Sequence, residues 1–399
     1  MPYIGFYILC FAVPPLLILS LYFLKRDYIH WRRYTWLYAL LIGLFAYSYV
    51  PVSGDLSRYL QRLDRYSYYS LKQAIETYYW LDAGEVAWNW IISKSGIPGL
   101  LSGIPQFLIM LIASYITCDY LEKKNAEESI YKAIIIQFLV LPEISTINNV
   151  FCVSAFALFS LAVYRDLMQK KRNVWTFALY IIACLIHSSA IILVALRLAA
   201  IFIKRAKYVA IVLVFLLPIL LNTLHSNAFL FRNYQVVYKL IESGYQYYSE
   251  TEGNPAYTVS RLYLISFVHN MLFSFLSLFL VLRVSRRNED INNNRAENTF
   301  STFLLLVSVL AISCVIFNAP HYWRFNFIVK LCAAVLLFFA EEDWQFGRIC
   351  TYLFVLDGLM VKLVETIDFT RIADVGETFE NFLFSSPFGI IAKLFIGLF

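Results

Sequence analysis

Residues 174–203 read VWTFALYIIACLIHSSAIILVALRLAAIFI, 30 nearly continuous apolar residues with His187-Ser188-Ser189 at the centre. As a single helix this stretch crosses a bilayer once, since about 20 apolar residues suffice. As two helices it turns back near His187, and each arm of about 15 residues is only roughly 22 Å long at 1.5 Å per residue. A hydrocarbon layer of about 30 Å then calls for sheltering neighbours, or for His187 to form the floor of an outward-open cavity. The choice fixes the sidedness of everything that follows. Lys204, Arg205 and Lys207 come directly after the stretch, and basic connections favour the cytoplasmic side.

Further apolar stretches lie at about residues 3–24, 34–52, 98–118, 130–142, 147–164, 208–224, 262–282, 300–317, 326–340 and 349–364. With the N-terminus outside and two crossings in 174–203, every inside connection carries Lys or Arg, as in Lys25-Arg26 and Lys170-Lys171-Arg172. The outside connections carry fewer cations over much longer segments. A single crossing at 174–203 inverts this order, so the charge rule favours two short helices. The expected fold is an all-α polytopic membrane protein with about 11–12 transmembrane helices, some of them short or re-entrant. Residues 1–399 read as one transmembrane domain with amphipathic helices and outward loops at about 53–97, 225–261, 318–325 and 365–388. Met1–Tyr7 has no Lys or Arg, so the first run reads as a retained span rather than a signal peptide.

Composition agrees. Of 399 residues, 60% are apolar and 15% charged, against about 45–50% and about 25% in a soluble domain. This excludes a soluble enzyme, a disordered chain, a nucleic-acid-binding domain and a single-span anchor with a large soluble head. The 7 cysteines form no CxxC pair and read as small core hydrophobes. The 5 histidines show no metal-site spacing, so neither metal nor cofactor is expected. Aromatics reach 18%, including 29 tyrosines. Nearly half of those tyrosines fall in the outside segments, which make up less than a third of the chain. A phenol suits a sugar face or a lipid interface equally well.

Three constellations could carry chemistry. In Asp55-Leu56-Ser57-Arg58-Tyr59-Leu60-Gln61-Arg62-Leu63-Asp64-Arg65, helical spacing puts Asp55, Arg58, Arg62 and Arg65 on one face and the leucines on another. Guanidinium forks bind phosphate oxygens; the same pattern also suits an interfacial helix resting on lipid headgroups. In Asn318-Ala319-Pro320-His321-Tyr322-Trp323-Arg324-Phe325-Asn326, His321, Arg324 and two aromatics share a short turn, as a site or as an aromatic-belt anchor. Lys330 follows, as a functional cation or one that snorkels. In Leu141-Pro142-Glu143-Ile144-Ser145-Thr146-Ile147-Asn148-Asn149, the paired asparagines could bond sugar hydroxyls or cap the next helix.

The order of these features resembles the EpsG-type branch of Wzy-like polysaccharide polymerases. The resemblance runs through Asp55-x-x-Arg58-Tyr59, Gly84-Glu85-Val86-Ala87-Trp88, Ile147-Asn148-Asn149 with Leu161-Ala162-Val163-Tyr164-Arg165, Cys184-Leu185-Ile186-His187-Ser188-Ser189-Ala190 and His321-Tyr322-Trp323-Arg324-Phe325. Together these cover about residues 50–330. Family members typically carry an arginine soon after the middle asparagine; here the stretch is Asn149-Val150-Phe151-Cys152, which leaves more to Arg58, Arg261 and Arg324.

The resemblance implies a glycosyltransferase of the bacterial cytoplasmic membrane with its active face outside. It would polymerise polyprenyl-diphosphate-linked oligosaccharide repeat units into surface polysaccharide (O-antigen, capsule or exopolysaccharide). Asp55, Glu85 and His321 are then the candidates for acid–base work. Arg58, Arg62, Asn148, Asn149, His187, Arg261, Tyr322 and Arg324 are the candidates for substrate binding, the arginines facing the diphosphate whose charge grows in the transition state. The expected partners are the lipid-linked substrate, membrane lipid, a chain-length regulator and a flippase, with no nucleic acid. The competing readings are a flippase for the same lipid-linked sugars, a glycan ligase or acyltransferase, and a scaffold. No internal pseudo-symmetry supports a transporter, His30 has no convincing partner for acyl transfer, and a scaffold leaves the outer charges unexplained.

Overall fold

In the computed structural model, residues 174–202 form two helices broken at His187. The structure describes residues 8–9, 12–78, 82–202, 207–227, 233, 268, 271–280, 282–283, 295–316, 322–341 and 344–396. In chain order the helices are α1 (Leu19–Arg26), α2 (Trp31–Ser48), α3 (Asp55–Tyr66), α4 (Leu71–Tyr78), α5 (Ala83–Ser95), α6 (Leu100–Lys123), α7 (Ile130–Val140), α8 (Glu143–Asn148), α9 (Val150–Val163), α10 (Val174–Ile186) and α11 (Ala190–Phe202). They continue with α12 (Lys207–Ser226), α13 (Met271–Leu280), α14 (Arg295–Ile316), α15 (Tyr322–Leu331), α16 (Ala333–Glu341), α17 (Trp344–Ile372), α18 (Val375–Phe384) and α19 (Pro387–Ile396). Among the described residues there is no β-strand, so the chain is the all-α polytopic membrane protein its sequence predicts.

By length and composition, three described segments are long and apolar enough to cross a membrane: Leu100–Lys123, Val150–Met168 and Ala296–Cys314. A fourth is available if α18 and α19, bent by 87° at Ser385-Ser386, count as one broken span. The other apolar stretches form shorter helices such as α10 and α11, or helices that carry charge, such as α17. Against the expected 11–12, three or four described segments meet this measure, and the rest of the bundle is built from shorter or interrupted helices.

Helix α9 is apolar all round and packs on α6, α10, α11 and α15, as a helix without a polar face must. The short arms α10 and α11 are sheltered by α9 and α14. Arg197, the one charge within 174–203, is satisfied from inside the fold. Its Nε donates to Asp166 Oδ2 at 2.8 Å, and Arg172 Nε donates to the other oxygen at 2.7 Å.

Residues 365–388, expected as an outward loop, are helical instead. Helix α17 runs to Ile372, and α18 follows after a two-residue joint. Lys362 and Glu365, on α17, are half-buried and buried partners inside the bundle. The joint itself is stitched to the segment before α3. Val52 N–H donates to Ile372 O at 2.9 Å, Asp374 N–H to Val50 O at 2.9 Å, and Val50 N–H to Thr378 Oγ1 at 3.1 Å.

Helices α2 and α6 approach closely because glycines face the contact. A Cβ on Gly103 would lie 2.9 Å from Tyr47 Cβ, and one on Gly43 would lie 2.7 Å from Phe107 Cβ. Gly103→Val should therefore cost about 1–3 kcal/mol through overpacking, read as a lower thermal-unfolding midpoint in detergent. Gly376→Ala should be neutral, because the added carbon meets only Asp374 Oδ1 at 3.6 Å.

Candidate functional site

Helix α3 starts at Gly54, whose φ of +94° with an extended ψ is a conformation open essentially to glycine. A Cβ there would also press on Asn148 Oδ1 at 3.2 Å. Beyond it the amphipathic pattern is realised, with a difference. Leu56 and Leu63 are buried against α5 and α8 rather than against lipid, while Arg58, Arg62 and Arg65 are exposed. Asp55 forms an ion pair with Arg58 within the same helix. Tyr59 turns inward onto Phe151 of α9, edge to face with centroids 4.8 Å apart.

Helix α5 lies beside α3 and is held there by polar anchors. Ser93 Oγ donates to Leu63 O at 2.7 Å, and Lys94 Nζ donates to Ser67 O at 2.6 Å. Its leading end sits on the His187 turn. Asp82 Oδ1 accepts the Ser188 N–H at 2.8 Å. A Cβ on Gly84 would come within 2.9 Å of the Leu185 carbonyl, so glycine lets the α5 backbone rest on the turn. In the turn, His187 Nδ1 accepts from the Ser189 N–H at 3.2 Å and contacts Ser189 Oγ at 2.8 Å. An Nδ1 that accepts leaves the ring proton of neutral His187 on Nε2, where it can donate.

Charges converge around Tyr59. Its phenol lies in the fields of Glu85, Arg324, Arg62 and Arg58. Burial, and then the Glu85 carboxylate, push the Tyr59 phenol well above its ordinary range, so it stays protonated and can donate. Burial is also the main reason the Glu85 carboxyl is pushed up to about 8, with Asp82 adding repulsion and Arg62 opposing it. Burial raises Asp82 as well, against its hydrogen bond to Ser188. Arg324, at the start of α15, is 8% exposed. Its field reaches His187 and Cys152 too, and Cys152 lies within hydrogen-bond reach of Ser189 and Arg324.

The structure thus brings together Asp55, Arg58, Arg62, Glu85, Asn148, His187 and Arg324, drawn from five separate stretches of sequence. Asn148 Nδ2 donates to Tyr49 Oη at 3.2 Å and to Ile144 O at 3.0 Å. Asn149 occupies the N-cap position of α9, but its side chain donates back to Ser145 O at 3.0 Å and caps nothing. Arg261 and His321 lie outside the described residues, as does the side chain of Tyr322. Lys330 does not snorkel; it is 3% exposed, with Nζ 4.9 Å from the Phe273 ring centroid.

Sequence reading missed Tyr59 as the centre, Asp82 as the tie to the turn, and Ser189. The i, i+3 spacing of Asp82 and Glu85 and the small residues after His187 were the available signals. Trp88 Nε1, Asn89 Oδ1 and Asn148 Oδ1 are buried and have no hydrogen-bond partner among the described residues. That leaves polar capacity for a hydroxyl-rich ligand, since buried polar groups are normally paired.

The Glu85 shift has a stability consequence with a definite sign. Between the ordinary carboxylate range and about pH 8, the folded chain holds a proton that the unfolded chain has released. Stability therefore falls as pH rises through this window and levels off above it. Glu85→Gln should be increasingly more stable than wild type from pH 5 to pH 8, in paired thermal-unfolding measurements. A difference that does not vary with pH contradicts this.

No curated protein and no solved structure matches the chain. The model of the EpsG family matches residues 31–371. That match spans most of the chain, including every described part of the site, and the chain belongs to the EpsG family.

Proposed function

We propose that this protein is a membrane glycosyltransferase that polymerises polyprenyl-diphosphate-linked oligosaccharide repeat units into a surface polysaccharide, on the outer face of the bacterial cytoplasmic membrane. The observation that carries this reading is the meeting of Arg324, Arg62 and Arg58 with the Glu85 carboxyl at the Tyr59 phenol, in a chain of the EpsG family. In the proposed reaction a hydroxyl of one unit attacks the anomeric carbon of another. The anomeric C–O bond to the diphosphate breaks, a glycosidic C–O bond forms, and polyprenyl diphosphate leaves. Negative charge grows on the leaving group, and preorganised guanidiniums stabilise it where it develops.

The hydroxyl proton passes to Glu85. A base titrating near 8 is well matched to a working pH near neutrality, because it is basic enough to take the proton yet partly ionised. Asp55, occupied by Arg58, orients that guanidinium. The Tyr59 phenol and the His187 Nε2–H are donors for substrate oxygens. Asn148 Oδ1, Asn89 Oδ1 and Trp88 Nε1 supply further pairing for sugar hydroxyls. Arg261 and Tyr322 remain part of the proposed substrate set and His321 a candidate for acid–base work, and the N-terminus, on this reading, lies outside.

Deleting the gene should leave surface glycan of a single repeat unit; loss of all surface glycan would instead indicate a flippase. Arg324→Ala should reduce chain extension by about 100-fold or more while the protein stays in the membrane at wild-type level. Wild-type chain lengths in that variant would remove the diphosphate role of Arg324. Extension by the wild-type protein should rise with pH towards about 8, and Glu85→Gln should abolish it.

A further inference from the structure

A second charged cluster lies away from the site, where α17 passes the break between α7 and α8. Lys362 Nζ donates to Leu141 O at 2.7 Å, forms an ion pair with Glu143, and reaches Glu365 Oε2 at 3.4 Å. The ammonium also lies over the Phe138 ring, 4.5 Å from its centroid. Glu365 turns its other oxygen to the start of α8, where Oε1 accepts the Ser145 N–H at 3.1 Å. Both carboxylate residues are buried, Glu143 at 7% and Glu365 at 5% exposure. Among the described residues Glu143 Oε1 has no hydrogen-bond partner.

Two carboxylates therefore share one ammonium in the interior. A buried cluster of this kind is a poor source of stability, since desolvation offsets the attraction and apolar replacements are often neutral or better. What it does supply is geometry. Pro142 ends α7 by restricting the residue before it and leaves carbonyls and N–H groups without helical partners. Lys362 takes the Leu141 carbonyl and Glu365 takes the Ser145 amide, so α17 holds both sides of the break. Helix α8 has six residues, about 9 Å at 1.5 Å per residue, and its far end is Asn148, against Gly54 and Tyr49. Thr146 Oγ1 adds a hold from α6 through Gln106 Oε1 at 3.0 Å.

We infer that Lys362, Glu143 and Glu365 are positioning residues, a charged tether by which α17 sets α8 and so holds Asn148 at the rim of the site. The tether stands on these contacts alone; the use of Asn148 by substrate rests on the proposed function.

The test is hydrogen exchange on the purified full chain in detergent, read beside chain extension in cells. The triple variant Glu143→Gln/Lys362→Met/Glu365→Gln removes every charge and leaves none stranded. Amides of 143–149 should exchange at least about tenfold faster than in wild type, with 100–123 unchanged. Unchanged exchange in 143–149, or faster exchange throughout, overturns the tether. Glu365→Gln alone leaves Lys362 balanced by Glu143 and keeps an acceptor for Ser145, a weaker one without the charge. It serves if the triple variant does not reach the membrane: a rise of about threefold confined to 143–149 is expected, and no rise overturns the tether.

In cells the triple variant should lose about tenfold in extension. Asn148→Ala should cost about tenfold in wild type but less than about twofold in the triple background, the coupling expected of groups that act together. Equal costs in the two backgrounds overturn the coupling. Local loosening together with a fully active Asn148→Ala overturns the use of Asn148 and leaves the tether standing.

Discussion

A helix that stops inside an apolar bundle leaves N–H and C=O groups that water cannot reach, and each needs a partner from elsewhere in the fold. Two such stops among the described residues, at Ile186 and at Val140, are met by carboxylates borrowed from distant sequence. Asp82 takes the Ser188 amide and Glu365 takes the Ser145 amide. Those two bonds decide which elements lie side by side. The first brings α5, and with it Glu85, down onto His187. The second fixes α8, and with it Asn148, under Gly54. The candidate site forms where the two repaired breaks meet α3.

Burial then sets the chemistry of the groups collected there. Glu85 and Asp82 are held on the protonated side of their usual behaviour because they are withdrawn from solvent before any partner acts on them. Arg58 and Arg62, on the opposite face of the same helix as the buried leucines, keep contact with solvent. Tyr59 lies between the two environments. The site thus carries proton-holding groups on its inner wall and permanent cations along its rim, a division suited to a ligand with a neutral hydroxylated part and an anionic part.

Much of this was legible in the sequence. Charge placement around 174–203 called for a turn at His187, and the turn is there, because two short arms flanked by basic connections satisfy the sidedness rule better than one long helix. The spacing of Leu56, Leu60 and Leu63 against Arg58, Arg62 and Arg65 gave a correctly amphipathic α3. Its burial partner was not legible, since an apolar face reads the same whether protein or lipid covers it. The helical course of 365–388 was not legible, because charged residues look exposed until their partners across the fold are known. Glu143 lies more than 200 residues from Lys362, and no local pattern announces that pairing. Tyr59 was hidden among 29 tyrosines; only its edge-on contact with Phe151 and the charges around it single it out.

The stitching of Val50–Ser53 to the α17–α18 joint has a mechanical consequence. Four hydrogen bonds clamp the chain immediately before Gly54, and from Asp55 onward it is the arginine-bearing helix. Gly54 is then the corner between two pinned segments, since Ser93 Oγ and Lys94 Nζ hold the other end of α3 at Leu63 O and Ser67 O. With both ends held, Asp55, Arg58 and Arg62 keep a set spacing along one face of α3, a rigid row rather than a moving arm.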